Sequence, residues 1–235
     1  MATVILVRHG RSTANTDGVL AGRTPGVLLD DTGHHQAHRT AARLAEVPLA
    51  SVVASPLERC QQTAKTIIDQ QTTAPELITE HGIVECDYGD WQGRSLAELG
   101  KEDLWKTVIE QPSAAQFPGG ESLTDMQERS VAAVRRHDAA IESGHGPGAV
   151  WAAVSHGDII KSVIADAYGM PFDHFQRVHA DPASVTIIRY TAAMPHVLCV
   201  NTTDGDLSWL AALATAASNT GDTEAQVGGG AGHSR

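Results

Sequence analysis

Residues 4–10, Val4-Ile5-Leu6-Val7-Arg8-His9-Gly10, set an unbroken apolar run directly against an arginine, a histidine and a glycine. Short runs of this kind are the pattern of a strand buried on both faces, as in a parallel sheet covered by helices. Such a strand would deliver Arg8 and His9 to its carboxyl edge. The grammar recurs twice: a strand over Ser51–Ala54 runs into Ser55-Pro56-Leu57-Glu58-Arg59, and one over Ala149–Val154 runs into Ser155-His156-Gly157. Helices are expected over Thr32–Glu46, Leu57–Gln71 and Gly157–Tyr168. Alternation of this kind argues for an α/β fold, a three-layer sandwich with a mostly parallel central sheet flanked by helices.

Between 85 and 121 the pattern changes to Asp90-Trp91-Gln92-Gly93, a short amphipathic piece around Leu96 to Ile109, then Pro112, Pro118, Gly119 and Gly120. The segment from about 86 to 120 reads as an excursion capping the site, within one domain of residues 1–210. A helix over Ser122–Ser143 follows, with Ser122 as N-cap and Asp125 at the positive end of the helix. Strands over Val185–Tyr190 and His196–Val200 close the fold and leave an edge on which a homodimer could form. From Ala211 the chain is rich in Ala, Thr, Ser and Gly and ends in Gly228-Gly229-Gly230-Ala231-Gly232. It has too few apolar side chains to offset its ordering entropy, so residues 211–235 read as a mobile C-terminal tail.

The 235 residues, 42% hydrophobic and 19% charged, exclude a disordered, fibrous or collagen-like chain. Lys plus Arg is 17 against 28 Asp plus Glu, a formal charge of -11. That is the wrong sign for a nonspecific nucleic-acid or anionic-membrane binder, and neither partner is expected. A small phosphorylated substrate needs only a few cations converging locally. Cys60, Cys86 and Cys199 are odd in number and lack C-x-x-C spacing, which fits neither a disulfide framework nor a structural zinc site. A reducing cytoplasm is the expected location. The apolar start from Val4 to Val7 is too short for a secretory signal, and no stretch approaches the ~20 apolar residues that span a membrane.

In open α/β sheets ligands bind at the carboxyl ends of strands, so the three loaded ends can meet in one crevice lined by His9, His156, Arg8 and Arg59. Ser55 is suited to cap the helix that follows, with Pro56 at its first position and Glu58 completing a capping box. Arg59 then falls in the first turn, where the helix N-terminus favours an anion and the guanidinium fork matches phosphate oxygens. Gly157, after His156, opens the next helix in the same way.

Four spaced motifs, in order over residues 4 to about 160, resemble the histidine phosphatase superfamily, also called phosphoglycerate-mutase-like. They are Arg8-His9-Gly10, then Ser55-Pro56-Leu57-Glu58-Arg59-Cys60-Gln61-Gln62-Thr63-Ala64, then Glu85 ahead of Tyr88-Gly89-Asp90-Trp91-Gln92-Gly93, and Ser155-His156-Gly157. The resemblance implies a phosphomonoester hydrolase in which His9 becomes phosphorylated, Arg8, Arg59 and His156 grip the phosphoryl group, and Glu85 donates the proton. Asn15 matches the family's phosphate-pocket asparagine, and Arg23 on the following loop is expected to reach a substrate.

The residue chemistry agrees with these roles. A neutral imidazole is a competent nucleophile near pH 7, and fixed cations stabilise the charge spread over the equatorial oxygens of a transferring phosphoryl group. No metal or cofactor is required. Glu85 must be protonated when the alkoxide departs and ionised when water attacks, so its pKa should be raised, with Ile83 and Val84 helping to desolvate it.

Departures from the family pattern bear on the reaction. Arg11 stands where an acid is usual, Ala14 where an aromatic is common, and Ala21 where many members place a glutamine. The mutases also carry adjacent arginines in the insertion, whereas residues 94–120 hold only Arg94, Lys101 and Lys106. This favours hydrolysis of a small phosphorylated metabolite. The alternatives are a phosphoglycerate-type phosphomutase, which needs a bisphosphate primer and conserves organic phosphate, and a noncatalytic phosphate-binding protein on the same scaffold. His34 and His38 lie one turn apart, but the zinc-protease pattern needs Glu at position 35, which is His, and a solvated helix start is expected. Cys60 is expected to be a buried, inert thiol despite Arg59. Trp91 and Trp105 either roof the site or cover the core.

Overall fold

Along β1 (Thr3–Arg8) the side chains alternate between two hydrophobic layers, Val4 and Leu6 entering one and Ile5 and Val7 the other. A strand apolar on both faces needs helices on both sides, and the chain supplies them. The structure is a computed structural model and describes residues 2–208, 210 and 211. After β1 come α1 (Thr13–Asp17), α2 (Asp31–Leu44), β2 (Leu49–Ala54), α3 (Glu58–Asp69) and β3 (Glu76–Thr79). There follow α4 (Leu96–Leu99), α5 (Asp103–Glu110), α6 (Leu123–His145), β4 (Val150–Ser155), α7 (Gly157–Ala167), β5 (Val185–Tyr190) and β6 (Pro195–Thr202).

The six strands form one sheet in the order β3-β2-β4-β1-β5-β6. β3, β2, β4 and β1 are parallel, while β5 and β6 are added antiparallel. One face is covered by α2 and α3 through Ala41, Leu44, Cys60, Ala64 and Ile67, the other by α6 and α7 through Met126, Val134, Ile160 and Val163. Fully buried side chains such as Ile5 and Ile67 each contribute about 1.5–3 kcal/mol. The one polar atom of the buried Trp151 ring is satisfied, its indole N–H donating to Asp138 Oδ1 at 2.9 Å.

β4, buried at every position, lies between β2 and β1. Arg8 is in register with Ser155, and Ala54 with Val154, so the three chemically loaded strand ends are neighbours. The loop after β1 is held by a close backbone approach. A Cβ on Gly10 would overlap the carbonyl oxygen of Gly33, and one on Gly33 would overlap that of Arg11.

The expected strands and long helices are present, each within two residues of its expected ends. Two elements were not expected, the exposed edge strand β3 and the short α1. The amphipathic piece around 96–109 is two helices separated by Gly100. Ser122 caps α6 as expected, accepting from the Asp125 amide at 3.0 Å. Trp91 belongs to the core: it is buried, stacks on Trp105 at 6.0 Å and meets Phe117 edge-on at 5.3 Å. The tail expected from 211 onward lies, apart from Ala211, outside the described residues. Among the described residues no helix is long and apolar enough to cross a membrane.

Candidate active site

His9 follows β1 directly and is buried. Its Nδ1 lies 2.7 Å from the carbonyl oxygen of Gly10, and a carbonyl only accepts, so Nδ1 carries the proton and Nε2 keeps its lone pair. Arg59 Nε donates to that Nε2 at 3.3 Å. Burial, and then the charges of Arg59 and Arg8, push the His9 pKa well below the ordinary 6.5. The ring is therefore neutral at neutral pH, with a lone pair directed at a guanidinium.

Arg59 Nη2 reaches the second imidazole, 3.2 Å from His156 Nδ1, and also donates to the carbonyl of Gly22 at 2.9 Å. Because arginine only donates, His156 Nδ1 accepts, and its Nε2–H donates to Ser55 Oγ at 2.7 Å. Burial and the nearby Arg59 depress the His156 pKa as well. His156 is also the N-cap residue of α7, so the positive end of that helix opens beside it.

Arg8 donates through Nη1 to the carbonyl of Ala180 at 2.6 Å. Arg8 Nε and Arg59 Nη1 are buried and have no partner among the described residues. A buried charged N–H without an acceptor is costly, and both arginines line the same cleft of about 200 Å³ together with His9, Ser12, Asn15, Glu85 and Gly157. Gly157, at the first position of α7, packs against the Arg8 guanidinium, and a Cβ there would meet Arg8 Nε at 3.5 Å, an ordinary contact distance. Two incompletely bonded guanidiniums beside a helix N-terminus are an arrangement that favours an anion. A larger hollow of about 620 Å³ near Leu49 and Gln71 is lined by Glu46, Glu76 and His145 and has no comparable convergence of cations.

Glu85 sits across the cleft, its Oε2 3.8 Å from His156 Nδ1 and its Oε1 accepting from the Cys86 amide at 3.0 Å. Burial, reinforced by the charge of Asp158, raises its pKa to about 7. Ile83 and Val84 are both buried beside it, as expected. Its backbone is clamped from two directions. Arg23 Nε donates to the Glu85 carbonyl at 2.9 Å and Arg129 Nη2 donates to it at 3.2 Å. Glu121 bridges both arginines through Oε1, at 2.9 Å from Arg23 and 2.6 Å from Arg129.

Arg8, His9, Asn15, Arg59, Glu85 and Gly157 thus line the cleft, and His156 stands directly behind Arg59 and Glu85. Asn15 also closes the turn of α1, its side-chain oxygen accepting from the Ser12 amide at 3.0 Å and hydroxyl at 2.9 Å. Arg23, expected to reach substrate, is instead drawn to Glu121 and to Asp87, 3.6 Å away, and does not line the cleft.

The capping box expected at Ser55 is absent. The N-cap residue of α3 is the apolar Leu57, while the Ser55 hydroxyl accepts from the buried His156 ring at 2.7 Å and, at a long 3.4 Å, from the Leu57 amide, and Glu58 accepts from the Gly26 amide at 3.0 Å. Cys60 Sγ lies 3.5 Å from His156 Nε2, and burial outweighs Arg59 to push the thiol up to about 12, which leaves it unreactive. Among the described residues no three His, Cys, Asp or Glu side chains converge as a metal site, and the His38 ring meets the Gln70 amide at 3.4 Å.

Sequence reasoning did not find Arg129, Glu121 or Asp158. Glu121 precedes the cap of α6 and Arg129 lies in its second turn, neither with a local signal, and only the tertiary bonds of Arg129 to the Glu85 carbonyl and of Glu121 to Arg23 and Arg129 reveal them.

The model of the histidine phosphatase superfamily (branch 1) matches residues 4–203. The bifunctional protein Rv2228c of Mycobacterium tuberculosis is 33% identical over 193 residues, covering 80% of this chain and 50% of that protein. The chain therefore spans about half the length of that curated relative. A probable phosphoglycerate mutase GpmB of Yersinia pestis is 29% identical over 192 residues, 81% of this chain and 86% of that one. The crystal structure of the alpha-ribazole phosphatase from Shigella flexneri aligns with a TM-score of 0.73 at 25% identity, covering 86% of this chain and 96% of that one. With the matched segment running from β1 through β6 and holding both histidines, both arginines and Glu85, this chain belongs to the histidine phosphatase superfamily.

Proposed function

We propose that the chain is a phosphomonoester hydrolase that works in two steps through a phosphohistidine on His9. The observation that carries the reading is Arg59, whose one guanidinium meets Nε2 of His9 and Nδ1 of His156 and still holds a buried, unpartnered Nη1. A phosphoryl group seated in the cleft beside His9 supplies the missing acceptor to Arg59 Nη1 and Arg8 Nε.

In the first step the Nε2 lone pair of His9 attacks phosphorus, the P–O bond to the alcohol breaks, and Glu85 gives its proton to the departing oxygen. Arg8, Arg59 and the N-terminus of α7 take up the charge on the equatorial oxygens. In the second step the Glu85 carboxylate removes a proton from water as the water oxygen bonds to phosphorus. The N–P bond breaks and inorganic phosphate leaves. A pKa of about 7 lets Glu85 serve in both protonation states.

The three free cysteines support a cytoplasmic location. The reading is tested by phosphate release from p-nitrophenyl phosphate and from alkyl phosphates. A mutase would instead transfer phosphate between organic acceptors, with total organic phosphate conserved and a bisphosphate required.

A further inference from the structure

Reading His9 as the phosphoryl acceptor fixes one end of the substrate, and the inference below rests on that reading. The remaining walls of the cleft must then meet the alcohol portion. Besides Arg8 and Arg59, the charged side chains lining the cleft among the described residues are two acids, Glu85 and Asp158. Asp158, in the first turn of α7, accepts from the Tyr88 hydroxyl at Oδ2, 2.8 Å, and from Lys161 Nζ at Oδ1, 3.0 Å. Burial opposes its ionisation, but Lys161 and Tyr88 more than offset this and hold the carboxyl below its ordinary pKa. Lys161 is itself committed, bonding Gln176 at 2.6 Å and lying 4.9 Å from the Phe175 ring centre. The lining also holds apolar side chains: Leu20 is half-buried, and Leu96 is 41% exposed.

We infer that the alcohol portion of the substrate is uncharged, lays an apolar face against Leu20 and Leu96, and donates a hydroxyl hydrogen to Asp158. A carboxylate carries about four acceptor sites, and Tyr88 and Lys161 occupy two, so acceptor capacity remains for a substrate hydroxyl. A second anionic group there would lose its hydration beside a carboxylate already paired with Lys161, and among the described residues the cleft lining offers it no cation besides Arg8 and Arg59, which hold the phosphoryl group. Arg23 is bound to Glu121 and Arg94 to Glu102. An anion desolvated without a partner is strongly disfavoured, and like charges across a binding surface reject the wrong ligand. An ammonium gains little, because Asp158 is already paired with Lys161 and the two arginines of the cleft repel it.

The test compares kcat/KM for phenyl phosphates bearing 4-methyl, 4-hydroxymethyl, 4-carboxy or 4-aminomethyl groups, with p-nitrophenyl phosphate as the reference. The hydroxymethyl ester is expected to lead, ahead of the carboxy ester by roughly tenfold or more. The carboxylate makes the better leaving group, so this order runs against intrinsic reactivity. Asp158→Asn is expected to shrink the hydroxymethyl-to-carboxy ratio toward one, and the wild-type ratios decide the matter if that variant does not fold. Turnover of p-nitrophenyl phosphate with the carboxy or aminomethyl ester equal to or ahead of the hydroxymethyl ester overturns this inference alone. Inertness of every ester, the reference included, overturns the hydrolase reading and this inference with it.

Discussion

The rings of His9 and His156 stand 5.3 Å apart, inclined at 63°, and a single guanidinium, that of Arg59, donates to the facing nitrogens of both. Two neutral imidazoles from β1 and β4 are thereby joined to a cation from α3, the helix that follows β2. The adjacency of those strands in the sheet makes the arrangement possible. Replacing Arg59 with lysine keeps the charge but not the fork, which must reach both rings and an anion together. Arg59→Lys is expected to lower kcat/KM for p-nitrophenyl phosphate on the order of 100-fold. Near-normal turnover would show that charge alone suffices.

The nucleophile loses its proton at lower pH than the acid. His9 is held well below 6.5, so it is deprotonated and ready from acid pH upward, whereas Glu85 titrates at about 7. For an alkyl phosphate, kcat should rise as His9 loses its proton and fall as Glu85 loses its own through about pH 7. Glu85→Gln should remove the descending limb and cost alkyl phosphates roughly 10²–10⁴-fold. Aryl phosphates, whose leaving groups need less protonation, should lose far less. Equal losses on both would assign the proton to another group.

Ser55 orients His156 from behind, and its loss leaves a buried imidazole N–H with only the weak acceptor Cys60 Sγ, 3.5 Å away. Ser55→Ala should destabilise the fold by about 1–3 kcal/mol in denaturant unfolding and weaken competitive inhibition by inorganic phosphate. Ser55→Asn distinguishes this role from capping. Asparagine is a good N-cap residue but too long for the gap to His156, so it should fail to rescue. Full rescue would restore the capping role.

How far the site could be read from the chain depends on which contacts are local. Arg8, His9 and His156 were legible because each follows a short apolar strand, and parallel strands of this kind converge at their carboxyl ends. Arg59 was legible because it falls one residue into a helix. Ser55 was misread, because its local surroundings offer a cap while its actual partner lies 101 residues away. The partner of Arg23 was hidden for the same reason: Glu121 lies 98 residues on. The edge strand β3 escaped notice because Glu76-Leu77-Ile78-Thr79 is largely exposed and short, and pairing with β2 alone defines it.

The clamp on the Glu85 backbone yields a further expectation. Glu121→Gln keeps the shape but removes the charge that binds Arg23 and Arg129 together, at an expected cost of about 1–3 kcal/mol. Burial disfavours the Glu121 charge, but the bonds from Arg129 and the Asp87 amide hold its folded pKa below the ordinary value. The stabilisation is therefore present above the unfolded carboxylate pKa and is lost as the pH falls through the lower folded one. Unfolding free energies measured for both proteins across that acid range should converge. A variant as stable as the parent at neutral pH would mean that the bridge contributes nothing. Displacement of Glu85 should also cost alkyl phosphates more than aryl ones.

The claim on which the account depends is that His9 Nε2 carries the phosphoryl group between the two steps. The direct measurement is rapid acid-free quenching during turnover of a ³²P-labelled phosphomonoester, followed by proteolysis and mass spectrometry of the labelled peptide. The account predicts an acid-labile, base-stable phosphoryl group on the peptide containing His9, formed no more slowly than phosphate is released and absent from a folded His9→Ala variant. Steady phosphate release with no such adduct, or with label on another residue, would contradict it.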